Sequence, residues 1–179
     1  LYELQKIDSQ IDEINKVKGE LPLEVEDLED SVAGLNTRLD NINREIDELA
    51  SLTKQRQREI EEANALIARY KEQQDNVRNN REYESLEKEI EYQLLEITLA
   101  EKRLKEYAAA TKTKKASVET TQAELAERQA DLDVKRQELE SIESETADEV
   151  KDLTVKAKVA QAKIDERLLT AYGRIRSKV

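Results

Sequence analysis

The chain has 179 residues, a net charge of −11 and 40% charged side chains, with only 3% aromatic residues and no Trp, Phe, Met, His or Cys. So few large apolar side chains cannot fill a compact core, and the composition fits a long seam between helices rather than a globule. Without His or Cys the usual general bases, thiol nucleophiles and nitrogen or sulfur metal ligands are missing, which points away from an enzyme and towards a binding or structural role.

The first predicted element is a helical arm over residues 1–74. Steps of three and four from Leu4 visit Ile7, Ile11, Ile14, Lys18, Leu21, Val25, Leu28, Val32, Leu35, Leu39, Ile42, Ile46, Leu49, Thr53, Arg56, Ile60, Ala63, Ile67, Tyr70, Gln74 and Val77. Only Lys18, Thr53, Arg56 and Gln74 among them are polar, which is the 3.5-residue repeat of a coiled coil. Gly19-Glu20-Leu21-Pro22 predicts a kink or short loop, because Pro22 has no amide hydrogen to donate four residues back and its ring collides with that turn. The register runs through it unshifted, so the same partner helix is expected on both sides.

The second predicted element is a tip over residues 75–81, where Asp, Asn, Val and Arg side chains interrupt the seam and favour local hydrogen bonds over helix. Asn79 and Glu82 stand at the spacing of a capping box, and Tyr83 and Leu86 open the next seam. A second arm is predicted over residues 82–176. Its seam passes through Ile90, Gln93, Ile97, Ala100, Leu104, Tyr107, Thr111, Lys114, Val118, Thr121, Leu125, Arg128, Leu132, Lys135, Leu139 and Ile142, then slips by a stutter to Val150, Leu153, Ala157, Ala160 and Ile164. The fold expected is all-α: a long antiparallel coiled-coil hairpin forming a single domain, kinked near Gly19–Pro22. The second arm is the longer, so its last turns are expected to overhang Leu1.

Charge is unevenly spread. Residues 1–50 carry 14 acids against 5 bases, and residues 119–149 carry 11 against 3, whereas residues 97–118 carry 6 bases against 2 acids and residues 150–179 carry 8 against 3. Lys112, Lys114 and Lys115, with Arg174, Arg176 and Lys178, are the candidate basic patches, although charge runs usually only keep a helix face solvated. An overall acidic chain argues against an RNA-binding arm, since affinity for a phosphate backbone comes mainly from Lys and Arg. No apolar run has the length of a membrane span and no signal-peptide pattern opens the chain, so a cytoplasmic protein without membrane contact is expected.

The stretch Asn79-Asn80-Arg81-Glu82-Tyr83-Glu84-Ser85-Leu86-Glu87-Lys88-Glu89-Ile90 resembles the Asn-x-(Lys/Arg)-Glu-Tyr-x-x-Leu-x-x-Glu-Ile signature of a bacterial family that joins a coiled-coil hairpin to a four-Cys zinc ribbon. Leu4-Gln5-Lys6-Ile7-Asp8-Ser9-Gln10-Ile11-Asp12 is similar to that family's opening, and Leu168-Leu169-Thr170-Ala171-Tyr172-Gly173-Arg174-Ile175-Arg176 to its closing stretch. The resemblance implies a hooked antiparallel hairpin, a zinc ribbon expected beyond residue 179, and a nucleic-acid-binding or adaptor role, with links in some members to an alternative sigma factor and to flagellar or secretion-system control. It implies zinc in the full-length protein but no metal ligand or cofactor in this chain, which reads as a piece of something longer. The tip residues that carry over are Asn79, Glu82, Tyr83, Leu86 and Ile90, which serve equally well as a cap and staple for the second helix.

Three functions are therefore in play. The leading one is a non-catalytic adaptor or regulator whose hairpin binds a protein partner, while the missing ribbon binds nucleic acid or protein. The second is a structural spacer or chaperone-like tentacle, and the third an RNA-binding arm. The hairpin itself is expected to be a monomer or to self-associate weakly.

Overall fold

The computed structural model describes residues 1–178 and contains three helices: α1 (Tyr2–Asn76), α2 (Asn80–Ala162) and α3 (Glu166–Arg176). Among the described residues there is no strand, and the protein is an all-α helical hairpin. Its contacts cluster into two compact units, one built from Leu35–Leu125 and the other from Leu1–Gly34 with the chain from Ala126 onward.

In each unit α1 and α2 run antiparallel. Within Leu35–Leu125, Gln74 bonds Glu87 at 2.7 Å and Glu45 pairs with Lys114 at 2.6 Å, so falling numbers on α1 meet rising numbers on α2. In the other unit Glu29 pairs with Arg136 at 2.7 Å and Glu24 with Lys135 at 3.2 Å. The heptad seam supplies the core. Leu4, Leu21, Val25, Leu39, Ala63, Ile67, Ile90, Ala100, Thr121, Leu132 and Ala157 are all buried seam positions, and among the described residues Asp8 is the one buried residue that lies off the seam. Of the expected seam residues, Tyr83 and Arg128 are exposed instead.

Polar seam positions are satisfied in two ways, Gln74, Lys114 and Lys135 by bonding across to the other helix and threonines by reaching back one turn. Thr53 and Thr121 each donate a hydroxyl hydrogen to the carbonyl four residues earlier, at 2.8 Å to Leu49 and 2.8 Å to Ser117. This back-bonding lets a short hydroxyl be buried without an unmet donor. Arg56 is satisfied only in part: Nη1 donates to both carboxylate oxygens of Glu59 at 2.8 Å, but the buried Nε has no partner. Hydrogen bonding to Glu59 first and Tyr107 second pushes the Arg56 pKa above its usual value.

Three expectations need correction. No loop opens at Gly19–Pro22, because α1 continues as helix from Tyr2 through Pro22 to Asn76. Pro22 sits on the exposed side while Leu21 and Val25 are buried in the seam on either side of it, so packing holds the turn whose hydrogen bond the proline removes. The tip is also shorter than residues 75–81. Only Val77, Arg78 and Asn79 lie outside the helices, a span within the usual range for connecting antiparallel neighbours.

The third correction concerns the second arm, which does not run on as one helix to residue 176. α2 stops at Ala162, where the Lys163 and Ile164 amides bond carbonyls only three residues back, at 3.2 and 3.1 Å. Asp165 then takes an extended backbone and its Oδ1 accepts the Arg167 N–H at 3.0 Å, which caps a new helix. α3 meets α1 through Tyr172 with Asp8 and Arg176 with Asp12, both numbers rising together, so it lies parallel to the first turns of α1. The chain folds back along its own beginning instead of overhanging it.

Candidate functional site

The tip is built by two local devices. Asn79 Oδ1 accepts the Arg81 N–H at 2.8 Å and the Asn79 carbonyl accepts the Tyr83 N–H at 3.1 Å, which starts α2. Across the reversal, the Gln74 side-chain amide donates to the Tyr83 carbonyl at 3.4 Å and to Glu87 Oε2 at 2.7 Å. These bonds tie the end of α1 to the first two turns of α2. The five tip candidates separate accordingly. Asn79 is a cap and Ile90, 5% exposed, is core, whereas Leu86 is half-buried and Glu82 and Tyr83 are exposed. Glu82 and Leu86, with Gln73, Asn76, Val77 and Ser85, line a shallow cavity of about 490 Å³ beside the reversal. The tip therefore presents an aromatic ring, a carboxylate and an apolar floor on a backbone that is already held.

The basic candidates separate as well. Lys114 turns towards α1 and is engaged by Glu45. Lys112 and Lys115 are exposed, and with Lys54 they border an open cavity of about 1020 Å³ between the helices, floored by Ile46, Ala50, Leu104 and Ala108. Thr53, Thr111 and Ala116 also line it, and these short side chains leave the seam incompletely filled. Arg174 and Lys178 are exposed on and just after α3, whereas Arg176 is structural.

That structural role belongs to a cluster which the heptad repeat does not reveal. Asp8, 5% exposed, accepts the Tyr172 hydroxyl hydrogen at 3.0 Å and pairs with Arg176 at 2.6 Å, while Arg176 also reaches Asp12 at 2.5 Å. Burial first, and the bond to Asp8 second, raise the Tyr172 pKa; the bond to Asp8 chiefly raises that of Arg176. Asp8 lies between the seam residues Ile7 and Ile11 and reads as surface until α3 folds over it. The signal available in the sequence was Asp165 followed by Glu166, a capping residue with an acid in the first helical turn.

The zinc implied by the family resemblance finds no fit among these residues. The chain contains no His or Cys, and among the described residues no group of three or more carboxylates is placed to hold a metal ion. No helix among them is long and apolar enough to cross a membrane. Compared with models of protein families, with curated proteins and with solved structures, the chain matches none.

Proposed function

We propose that this chain is the coiled-coil hairpin of a non-catalytic adaptor or regulatory protein of the cytoplasm, and that it docks a protein partner through its tip. The observation that carries this reading is the exposure of Tyr83, at 47%, on a reversal clamped by Gln74 and capped by Asn79. An aromatic residue on a backbone already ordered binds with little further entropy cost, and such residues dominate the energetics of protein interfaces. In the same proposal the zinc ribbon lies in sequence outside these 179 residues and binds nucleic acid or protein, in transcription or in secretion or flagellar control. The support for that part is the resemblance of the tip and of both ends of the chain.

A second reading, a spacer or chaperone-like tentacle, is favoured by one specific observation: the incompletely filled seam bordered by Lys54, Lys112 and Lys115. In this reading the unfilled seam grips a client segment. Capture experiments with the intact protein separate the two. The adaptor reading expects a defined protein retained by the wild type and by Lys112→Ala but lost with Tyr83→Ala. Loss with Lys112→Ala and retention with Tyr83→Ala would move the function to the open seam, and an intact protein that binds no zinc would remove the ribbon from the proposal.

A further inference from the structure

Large apolar side chains remain uncovered on the outside of α2. Tyr92, Leu95 and Leu99 are 57%, 69% and 45% exposed. A single exposed leucine is ordinary, but these three follow one another at spacings of three and four. Each helical residue turns about 100°, so Leu95 and Leu99 lie roughly opposite the seam of Leu86, Ile90, Ile97, Ala100 and Leu104 that packs on α1, while Tyr92 stands at the edge of that face, bordering a cavity with Glu59, Glu62 and Ala63 of α1. α2 thus carries two apolar faces over this stretch, and only one has a partner.

The charges around the outer stripe say what covers the other. Glu89 and Glu91 flank its N-terminal part, whereas Lys102, Arg103 and Lys105 flank its C-terminal part. We propose that this face is a self-association surface on which a second copy of the chain lies antiparallel, stripe against stripe. In that register Leu95 meets Leu99 of the second copy, and Tyr92 meets its Lys102, an ammonium over an aromatic face. Glu89 then stands across from Arg103 of the second copy, Glu91 from Lys105, and Lys88 from Glu106. Two-fold symmetry repeats each contact. Only Glu96 meets its own like charge across the axis. A parallel pairing sets Lys88, Lys102 and Glu106, which continue the stripe, against their own copies, so the charge pattern selects the antiparallel arrangement. The short stripe and the Glu96 pair keep the dimer weak, so it forms as concentration rises.

The surface is independent of Tyr83, so the partner-docking proposal and this one fail separately. The test is sedimentation equilibrium of the full chain over a wide concentration range, with circular dichroism confirming that each variant stays helical. The wild type is expected to reach dimer. Leu95→Ala, an exposed and helix-favouring change, is expected to weaken dimerisation about tenfold or more. The pair Glu89→Arg with Glu91→Lys, and the pair Arg103→Glu with Lys105→Glu, should each be monomeric alone and associate when mixed. Heteroassociation of two variants that do not self-associate places these charged positions at the interface. A wild type that stays monomeric at every concentration overturns the proposal and leaves the stripe to a different protein. A dimer that survives both charge reversals, or two reversed variants that ignore each other, overturns it as well.

Discussion

Leu132→Ala is expected to lower the stability of the hairpin by about 2 to 4 kcal/mol, the usual cost of truncating a well-buried leucine. Leu132 is 2% exposed, and among the described residues of its unit only Leu4, at 1%, is buried more completely. One turn further along α2, Lys135 and Arg136 pair with Glu24 and Glu29 of α1, but it is the packed seam on either side that keeps the two backbones from closing over the missing side chain. Those ion pairs are themselves largely solvent-exposed and screened, and they contribute little to offset the loss. Thermal denaturation followed by circular dichroism should show a melting temperature lower by roughly 5 to 15 °C for a chain of this size. Leu95→Ala, on the uncovered outer face of α2, should leave the melting temperature of the monomer almost unchanged. Equal effects from the two leucines would contradict the assignment of inner and outer faces.

Asp8→Ala should undock α3 while leaving α1 and α2 paired. The substitution removes the acceptor for the Tyr172 hydroxyl and one of the two carboxylates that hold Arg176. Arg176 is 38% exposed, so water screens its ion pairs and the expected loss is about 1 to 2 kcal/mol rather than the larger figure of a fully buried pair. Amide exchange should therefore quicken roughly five- to thirtyfold within residues 166–176, with the seam amides of α2 unaffected. The same docking depends on pH in a defined direction. The Tyr172 pKa is raised in the folded protein above its usual value of about 10, so its contribution is complete below that value and is lost as pH climbs through the raised one. A fall in the protection factors of α3 at alkaline pH while those of α1 and α2 hold, together with delayed ionisation of one tyrosine by ultraviolet absorbance, is the expected result. Uniform loss of protection along all three helices would show instead that α3 is not a separately docked element.

What was legible in the sequence and what was not divides along physical lines. Among the described residues the heptad repeat identified every buried apolar one, from Leu4 to Ala157, because a narrow seam admits apolar side chains at fixed spacing and leaves other positions wet. The short loop allowed for at Pro22 does not form, because the packing of Leu21 and Val25 on either side carries the helix through it. The end of α2 was hidden for the opposite reason: Ala157, Ala160 and Ile164 kept the seam going while Asp165 was already set to cap another helix. The Asp8, Tyr172 and Arg176 cluster could not be found from spacing at all, since it joins residues 164 apart that meet only after that turn. At the tip, Asn79 is visible as a cap, but spacing alone does not tell Ile90, which is core, from Tyr83, which is presented to solvent.

The bonds from Gln74 across the reversal also bear on how such a chain finds its structure. They close between residues 9 and 13 apart, whereas Glu45 and Lys114 are separated by 69 positions and Glu29 and Arg136 by 107. Loop-closure entropy grows with the logarithm of the span, so the reversal is the least expensive place to nucleate. Once it has formed, each further turn of pairing need order only its immediate neighbours, which turns a set of distant contacts into a succession of short ones.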